Sequence, residues 1–258
     1  MKPMELPGPF EWVDLEWGPA LRCPALGATA DHLFTTRHLP LGRRTGSDGP
    51  GWATLARTIG VDEPSLVSIH QVHGTDAQVL RRGERCATAA TVTADIVVTD
   101  DPALALAVQV ADCVPLLIAD LRRGAVAAAH AGWRGTAVGV ARATVDALSR
   151  AFGSVPADLV AAVGPSIGPC CYEVGAEVRE RFGAHAGAWF TAGPRGRPHL
   201  DLWRATSDQL LAAGLPPEHV HLSRLCTATW PAVFYSYRRE GSGTGRMAGV
   251  IRVRASGA

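Results

Sequence analysis

Three side chains in this sequence, His73, Cys113 and His130, are of types that bind borderline or soft metals. Imidazole and thiolate together suit zinc or copper. Three protein ligands leave a fourth position open, the arrangement of a catalytic rather than a structural zinc. Their spacings of 40 and 17 residues match no short zinc motif, so spacing alone leaves other assignments open. In one, Cys113 is a nucleophile, His130 its base and Asp112 the group that orients the base, as in cysteine hydrolases. In another, Cys113 is a buried thiol and the two histidines are hydrogen-bonded loop residues.

Residues suited to an anion lie close by in sequence. The run His130-Ala-Gly-Trp-Arg134-Gly leads into an expected helix, and free backbone N–H groups at a helix start favour phosphate. Arg134 adds a fixed charge and a bidentate fork, or else a local salt bridge. Arg238 and Arg246, ahead of the last apolar run, could hold phosphate or balance nearby acids. The loop 164–173 carries prolines that fix φ and glycines that let backbone approach a ligand. It lacks the Lys-Ser/Thr of a phosphate loop. Its Cys170-Cys171 pair reads as loop thiols rather than a disulfide or a metal site. His32, His38, His185, His219 and His221 read as structural or solvated.

These residues need a scaffold, and the apolar runs supply one. Segments 66–69, 95–98, 105–110, 114–120, 125–129 and 159–163 read as strands, the four from 95 to 129 as strands buried on both faces. Segment 77–80 reads as a hairpin partner or the next strand. Segments 220–222, 234–237 and 247–253 read as closing strands. Steps of three and four predict a helix over 136–152, stopped at Gly153. Shorter helices are expected over 52–59, 175–182 and 201–213, the last with Asp201 as N-cap. Segments 38–51 and 86–93 read as loops. The polar clusters 70–74, 111–115, 130–135, 164–172 and 235–249 fall just beyond strand ends, where a rigid scaffold can hold an exposed site. With no repeat and no low-complexity linker, 1–258 reads as a single α+β domain.

Composition excludes several classes. The formal net charge of +1 over 258 residues gives no bulk field for nucleic acid or an anionic membrane. The longest apolar run is too short to span a bilayer. The N-terminal residues lack a signal-peptide pattern, so a cytoplasmic location is expected. Six cysteines without a C-x-x-C pair argue for free thiols in a reducing compartment. Nothing in the sequence marks an oligomeric interface.

Taken together, HQVHGTDA (70–77), TADIVVTDDPALALAVQVADCVPLLIAD (93–120), AAAHAGWRGTAVGV (127–140), AAVGPSIGPCCYEVG (161–175), HLDLWRATSDQL (199–210) and FYSYRREGSGTGRMAGVI (234–251) closely resemble the YfiH family of laccase-domain proteins. That family has been titled polyphenol oxidase and later purine nucleoside phosphorylase. The resemblance implies a layered α/β/β/α mixed-sheet sandwich like the catalytic domain of cytotoxic necrotizing factor toxins. It implies metal ligands His73, Cys113 and His130, with zinc the metal and copper the alternative. It implies phosphorolysis of adenosine, inosine and guanosine, with methylthioadenosine phosphorolysis, adenosine deamination and copper-dependent phenol oxidation as associated activities. Purine nucleosides and phosphate are then the expected partners. Arg37, Arg134 and Arg238 are the expected phosphate holders, and Asp112 and His70 the candidate general acids. Deamination would use an activated water, by analogy with other zinc deaminases. The sequence departs from the family near its start: Phe34-Thr-Thr-Arg37 is kept, but His38-Leu39-Pro40 stands where the family has glycines, and no Asn follows Ala53-Thr54-Leu55. The non-nucleoside alternatives are a Cys113–His130 amidase editing peptidoglycan precursors, a copper-dependent polyphenol oxidase and a binding module.

Overall fold

The computed structural model describes residues 6, 8–42, 50–84, 92–194 and 196–254. The strands in chain order are β1 Glu11–Leu15, β2 Gly18–Arg22, β3 Ala30–Phe34, β4 Leu66–Ser68, β5 Ala77–Leu80, β6 Ile96–Thr99, β7 Ala105–Val110, β8 Val114–Asp120, β9 Val126–Ala131, β10 Leu159–Val163, β11 Phe190–Ala192, β12 Pro198–Leu200, β13 Val220–Leu222 and β14 Met247–Val253. The α-helices are α1 Pro50–Ile59, α2 Trp133–Ala137, α3 Val140–Phe152, α4 Ala176–Glu180, α5 Ala186–Trp189, α6 Leu202–Ala212 and α7 Tyr237–Glu240.

Two six-stranded mixed sheets dominate, in the orders β1-β2-β3-β14-β7-β4 and β13-β10-β8-β9-β6-β5. Alternation along each strand sends successive side chains to opposite faces. In the second sheet Val97, Leu117, Val126 and Val160 point inward and meet Leu21, Phe34, Leu106 and Ile251 of the first. Ile96, Leu116, Ala127 and Ala161 point outward, onto Val145 and Leu148 of α3 and Leu210 of α6. On the outer face of the first sheet, Leu33, Ala107 and Val250 pack against Trp52, Leu55 and Ile59 of α1. The layers therefore run helix, sheet, sheet, helix. This explains why β6, β8 and β9 read as continuous apolar runs: both of their faces are covered.

Several sequence expectations are corrected here. Segment 77–80 is not a hairpin partner of 66–69: β5 pairs in parallel with β6 in the second sheet, while β4 pairs in parallel with β7 in the first. The helix expected over 136–152 is two helices, because Gly139 sits at φ +89°, a left-handed conformation that does not continue a helix. The helix expected over 175–182 is shortened to α4. Segment 234–237 is not a strand. Val233 and Phe234 donate back to the Trp230 carbonyl in a turn, and the Ser236 hydroxyl then accepts from Arg239 N–H as the cap of α7. Asp201 caps α6 as expected, accepting from Arg204 N–H at 3.0 Å. Cys86, most of the loop expected at 86–93, and residues 43–49 of the loop expected at 38–51 lie outside the described residues.

Candidate metal centre

His73, Cys113 and His130 reach one point because the chain crosses between the two sheets there twice. The β4–β5 connection carries His73 from the first sheet to the second. The β7–β8 connection, only residues 111–113, carries Cys113 across in the same direction. Both crossings need unusual backbone: His73 has φ +65° and Asp112 φ +90°, costs that persist only where surrounding contacts impose them. Gln71 ties the two crossings together. Its side chain accepts from Gln109 N–H at 2.7 Å and donates to the Gln109 carbonyl at 2.8 Å. His130 arrives on β9, paired opposite Pro115 of β8, two residues on from Cys113.

The donor atoms of the three residues lie within 4.8 Å of one another, and Cys113 Sγ is 3.8 Å from His73 Nε2. The imidazoles meet edge to face, with centroids 4.7 Å apart. A Cβ at Gly132 would fall 2.5 Å from His73 Cδ2 and 3.0 Å from Cys113 Sγ. Glycine there lets the group close up. Two imidazoles and a thiol at this separation are a donor set that suits zinc or copper.

Asp95, just ahead of β6, organises the group. Its fully buried carboxylate accepts backbone N–H groups from Val72, His73 and Gly74 at 3.1, 2.9 and 2.6 Å. It also takes His130 Nδ1 at 2.7 Å. That bond engages Nδ1 and leaves His130 Nε2 for the cluster, the usual carboxylate–histidine support of a ligand. Burial alone would raise the Asp95 pKa, but the His130 hydrogen bond and the Gly74 N–H outweigh it and hold it low. Burial likewise raises the Cys113 thiol, yet His130 and His73 together bring it down to about 6. His130 is driven up to about 9, because the Cys113 and Asp95 charges exceed the cost of burying its cation. Cys113 and His130 thus each favour the other's charged form.

The remaining sequence candidates divide. Asp112 is not the carboxylate that orients His130. Its oxygens take the Thr227 hydroxyl and the Arg238 N–H, each at 2.6 Å, so it anchors the 227–238 segment beside Cys113. Arg238 also donates to the Glu173 carbonyl and lies over the Tyr172 ring. Arg134 is exposed and lies over Trp133, and the helix it opens is only five residues long. His70 is exposed and bridged to Thr93. Arg37 pairs with Glu240 at 3.3 Å, donates to Pro231 and lies over Tyr235. None of these partners belongs to the metal group. Sequence reasoning passed over two residues, Asp95 and Tyr172. Burial raises the Tyr172 phenol first, then the Cys113 charge; Arg238 opposes, Asp112 adds, and Arg134 opposes. Both residues stood inside quoted segments, but only their fold neighbours set them apart.

The fold is thus a two-sheet α+β sandwich with a candidate histidine–cysteine donor group at its inter-sheet crossings. Residues 51–254 match the family described as multi-copper polyphenol oxidoreductase laccase, and the chain belongs to that family. The purine nucleoside phosphorylase YlmD of Geobacillus stearothermophilus is 35% identical over 90% of this chain and 93% of its own. A purine nucleoside phosphorylase of Bacteroides thetaiotaomicron is 40% identical over 62% of this chain, a match that spans 60% of that relative's length. A protein of an unidentified prokaryote named adenosine deaminase RL5 is 37% identical over 75% of this chain and 77% of its own. The crystal structure of the Bacillus licheniformis hypothetical protein YfiH superposes with TM-score 0.85 at 31% identity, over 96% of this chain and all of that one. Among the described residues no helix is long and apolar enough to cross a membrane.

Proposed function

We propose that this chain is a purine nucleoside phosphorylase, acting with phosphate on adenosine, inosine and guanosine and on methylthioadenosine. The whole chain, as one catalytic domain, carries the activity. The observation that carries this reading is the His73, Cys113 and His130 group, with Arg238 lying over the Tyr172 ring and giving its N–H to Asp112, the residue before Cys113. Relatives that match most of this chain bear that activity in their names. His73, Cys113 and His130 would hold zinc, with copper the alternative; the metal would supply charge stabilisation at the reacting centre. Arg134 and Arg238 hold phosphate as bidentate donors, with Arg37 further out. Phosphate oxygen bonds to the ribose C1′, the C1′–N9 bond breaks, and the base takes its electron pair. The leaving base needs a proton. Asp112 is committed to Thr227 and Arg238, and His70 is exposed to solvent. Tyr172, kept protonated by burial and lying under Arg238, is the donor this reading assigns. Adenosine deamination at the same site is a second activity, supported by the relative named adenosine deaminase.

The test is base release from inosine by zinc-loaded protein with and without phosphate, resolved by chromatography beside His73→Ala. Hypoxanthine and ribose 1-phosphate should form only with phosphate and vanish in the variant. No release in either buffer, with adenosine and guanosine equally inert, rejects the phosphorylase. The Asp95–His130 bond of 2.7 Å and the lowered Cys113 thiol favour a second reading. In it Cys113 is the nucleophile of an amidase acting on peptidoglycan precursors. Activity that survives chelation and is lost on thiol alkylation would select it.

A further inference from the structure

A second group of soft donors lies in the neighbouring loops. Cys170 and Cys171 sit in the turn after β10, and Cys226 in the segment after β13. These two stretches are held side by side by Ser166 N–H to the Leu225 carbonyl at 3.1 Å and Thr227 N–H to the Ser166 carbonyl at 3.1 Å. The three Sγ atoms lie within 4.8 Å of one another, with Cys170 and Cys171 Sγ 3.6 Å apart. All three are free thiols, and 3.6 Å is far beyond a disulfide bond of about 2.05 Å. Metal–sulfur bonds of about 2.3 Å place sulfurs roughly 4 Å apart around a three-coordinate ion. The thiols are thus close to the separation a shared ion requires, and a shift of under about 1 Å completes the arrangement.

We propose that Cys170, Cys171 and Cys226 form a second metal site, a three-thiolate pocket for a thiophilic d10 cation, with three-coordinate Cu(I) as its occupant. The donor set selects the ion. Three sulfurs favour soft cations. The fourth neighbour is the Thr229 hydroxyl, 3.6 Å from Cys171 Sγ and 3.8 Å from Cys170 Sγ. A neutral hydroxyl does not close the tetrahedral shell that structural zinc prefers, whereas Cu(I) needs no fourth ligand. Binding involves no redox change: three S–H bonds break, three copper–sulfur bonds form, and three protons leave. The complex then carries two negative charges. Arg239, whose guanidinium donates to the Ala228 carbonyl at 3.4 Å, places a cation against this loop. Cys226 is 4% exposed and Cys170 is exposed, so the ion enters from the Cys170 side. Once bound it clasps the loop bearing Tyr172 to the segment bearing Thr227, which holds Asp112 next to Cys113.

This inference does not rest on the nucleoside reading, and its test measures metal stoichiometry with no substrate present. Reduced full-length protein is titrated anaerobically with Cu(I) against bicinchoninate, beside Cys170→Ser/Cys171→Ser and His73→Ala/Cys113→Ser. Circular dichroism checks each fold. The serine pair should take up one equivalent fewer than the parent and lose a near-ultraviolet thiolate-to-copper band. The His73→Ala/Cys113→Ser chain should keep that equivalent. Equal uptake by parent and serine pair overturns the site, as does a folded His73→Ala/Cys113→Ser chain that binds none. If that variant does not fold, the first comparison decides alone. Displacement of the bound Cu(I) by equimolar zinc overturns copper as the occupant.

Discussion

At the scale of single residues, Asp95 carries four hydrogen bonds that no metal ligand makes for itself: three to the backbone of the His73 loop and one to His130. An amide in its place could accept at one atom only. Asp95→Asn should therefore loosen His130 and the loop together while leaving all three donors present. The expected loss is about 10–100-fold in zinc affinity, measured by competition with a chromophoric chelator. Unchanged affinity would mean that packing, not Asp95, orients His130. His32 makes a separate prediction. Burial pushes its pKa down from 6.5 to about 4; the Ala30 carbonyl and Asp31 pull the other way, and Arg22 adds to the lowering. Neutral Nε2 accepts the Cys23 N–H at 2.9 Å. The folded pKa lies below the unfolded one, so the unfolded chain binds the extra proton as pH falls from about 6.5 to about 4. Stability should drop across that window, by on the order of 3 kcal/mol from this group, and level off below it. Urea melts across pH should show a shallower limb for His32→Gln. Identical slopes for the two proteins would remove His32 as the cause.

Elements place these residues through their ends. The break between α2 and α3 turns on Gly139, at φ +89° with no atom crowding a Cβ there. Gly139→Ala should thus cost backbone strain alone, about 1–2 kcal/mol by denaturant melts, with metal affinity unchanged. A neutral result would mean that the break relaxes into one continuous helix. The sequence pattern predicted that single helix over 136–152, because its apolar spacing carries across the break; the glycine's left-handed conformation is not encoded in that spacing. Segment 234–237 was misread for a related reason. Its aromatic alternation imitates a strand, but Phe234 is buried between the sheets while Ser236 caps a helix. The Asp201 cap and the apolar stripe of α6 were legible, since capping and helical periodicity are local.

At the scale of the whole molecule, two sheets pack face to face and the chain passes between them at the His73, Cys113 and His130 group. Residue types and local period were enough, from the sequence by itself, to mark the apolar runs, most helices and the trio His73, Cys113 and His130, whose roles came through the family resemblance. Only the tertiary structure decided which strands share a sheet. Strands 105–110 and 114–120 look alike in sequence yet lie in different sheets, and the crossing between them turns Cys113 toward His73. Only the tertiary structure set Asp95 on His130, put Asp112 on Thr227 instead, laid Arg238 over Tyr172 and brought Cys226 to Cys170. The physical reason is range. A period of 2 or 3.6 is written in neighbouring residues, whereas the partners that tune a thiol, a phenol or an imidazole lie from 17 (Cys113 and His130) to 66 (Tyr172 and Arg238) residues away along the chain and meet only when the sheets pack.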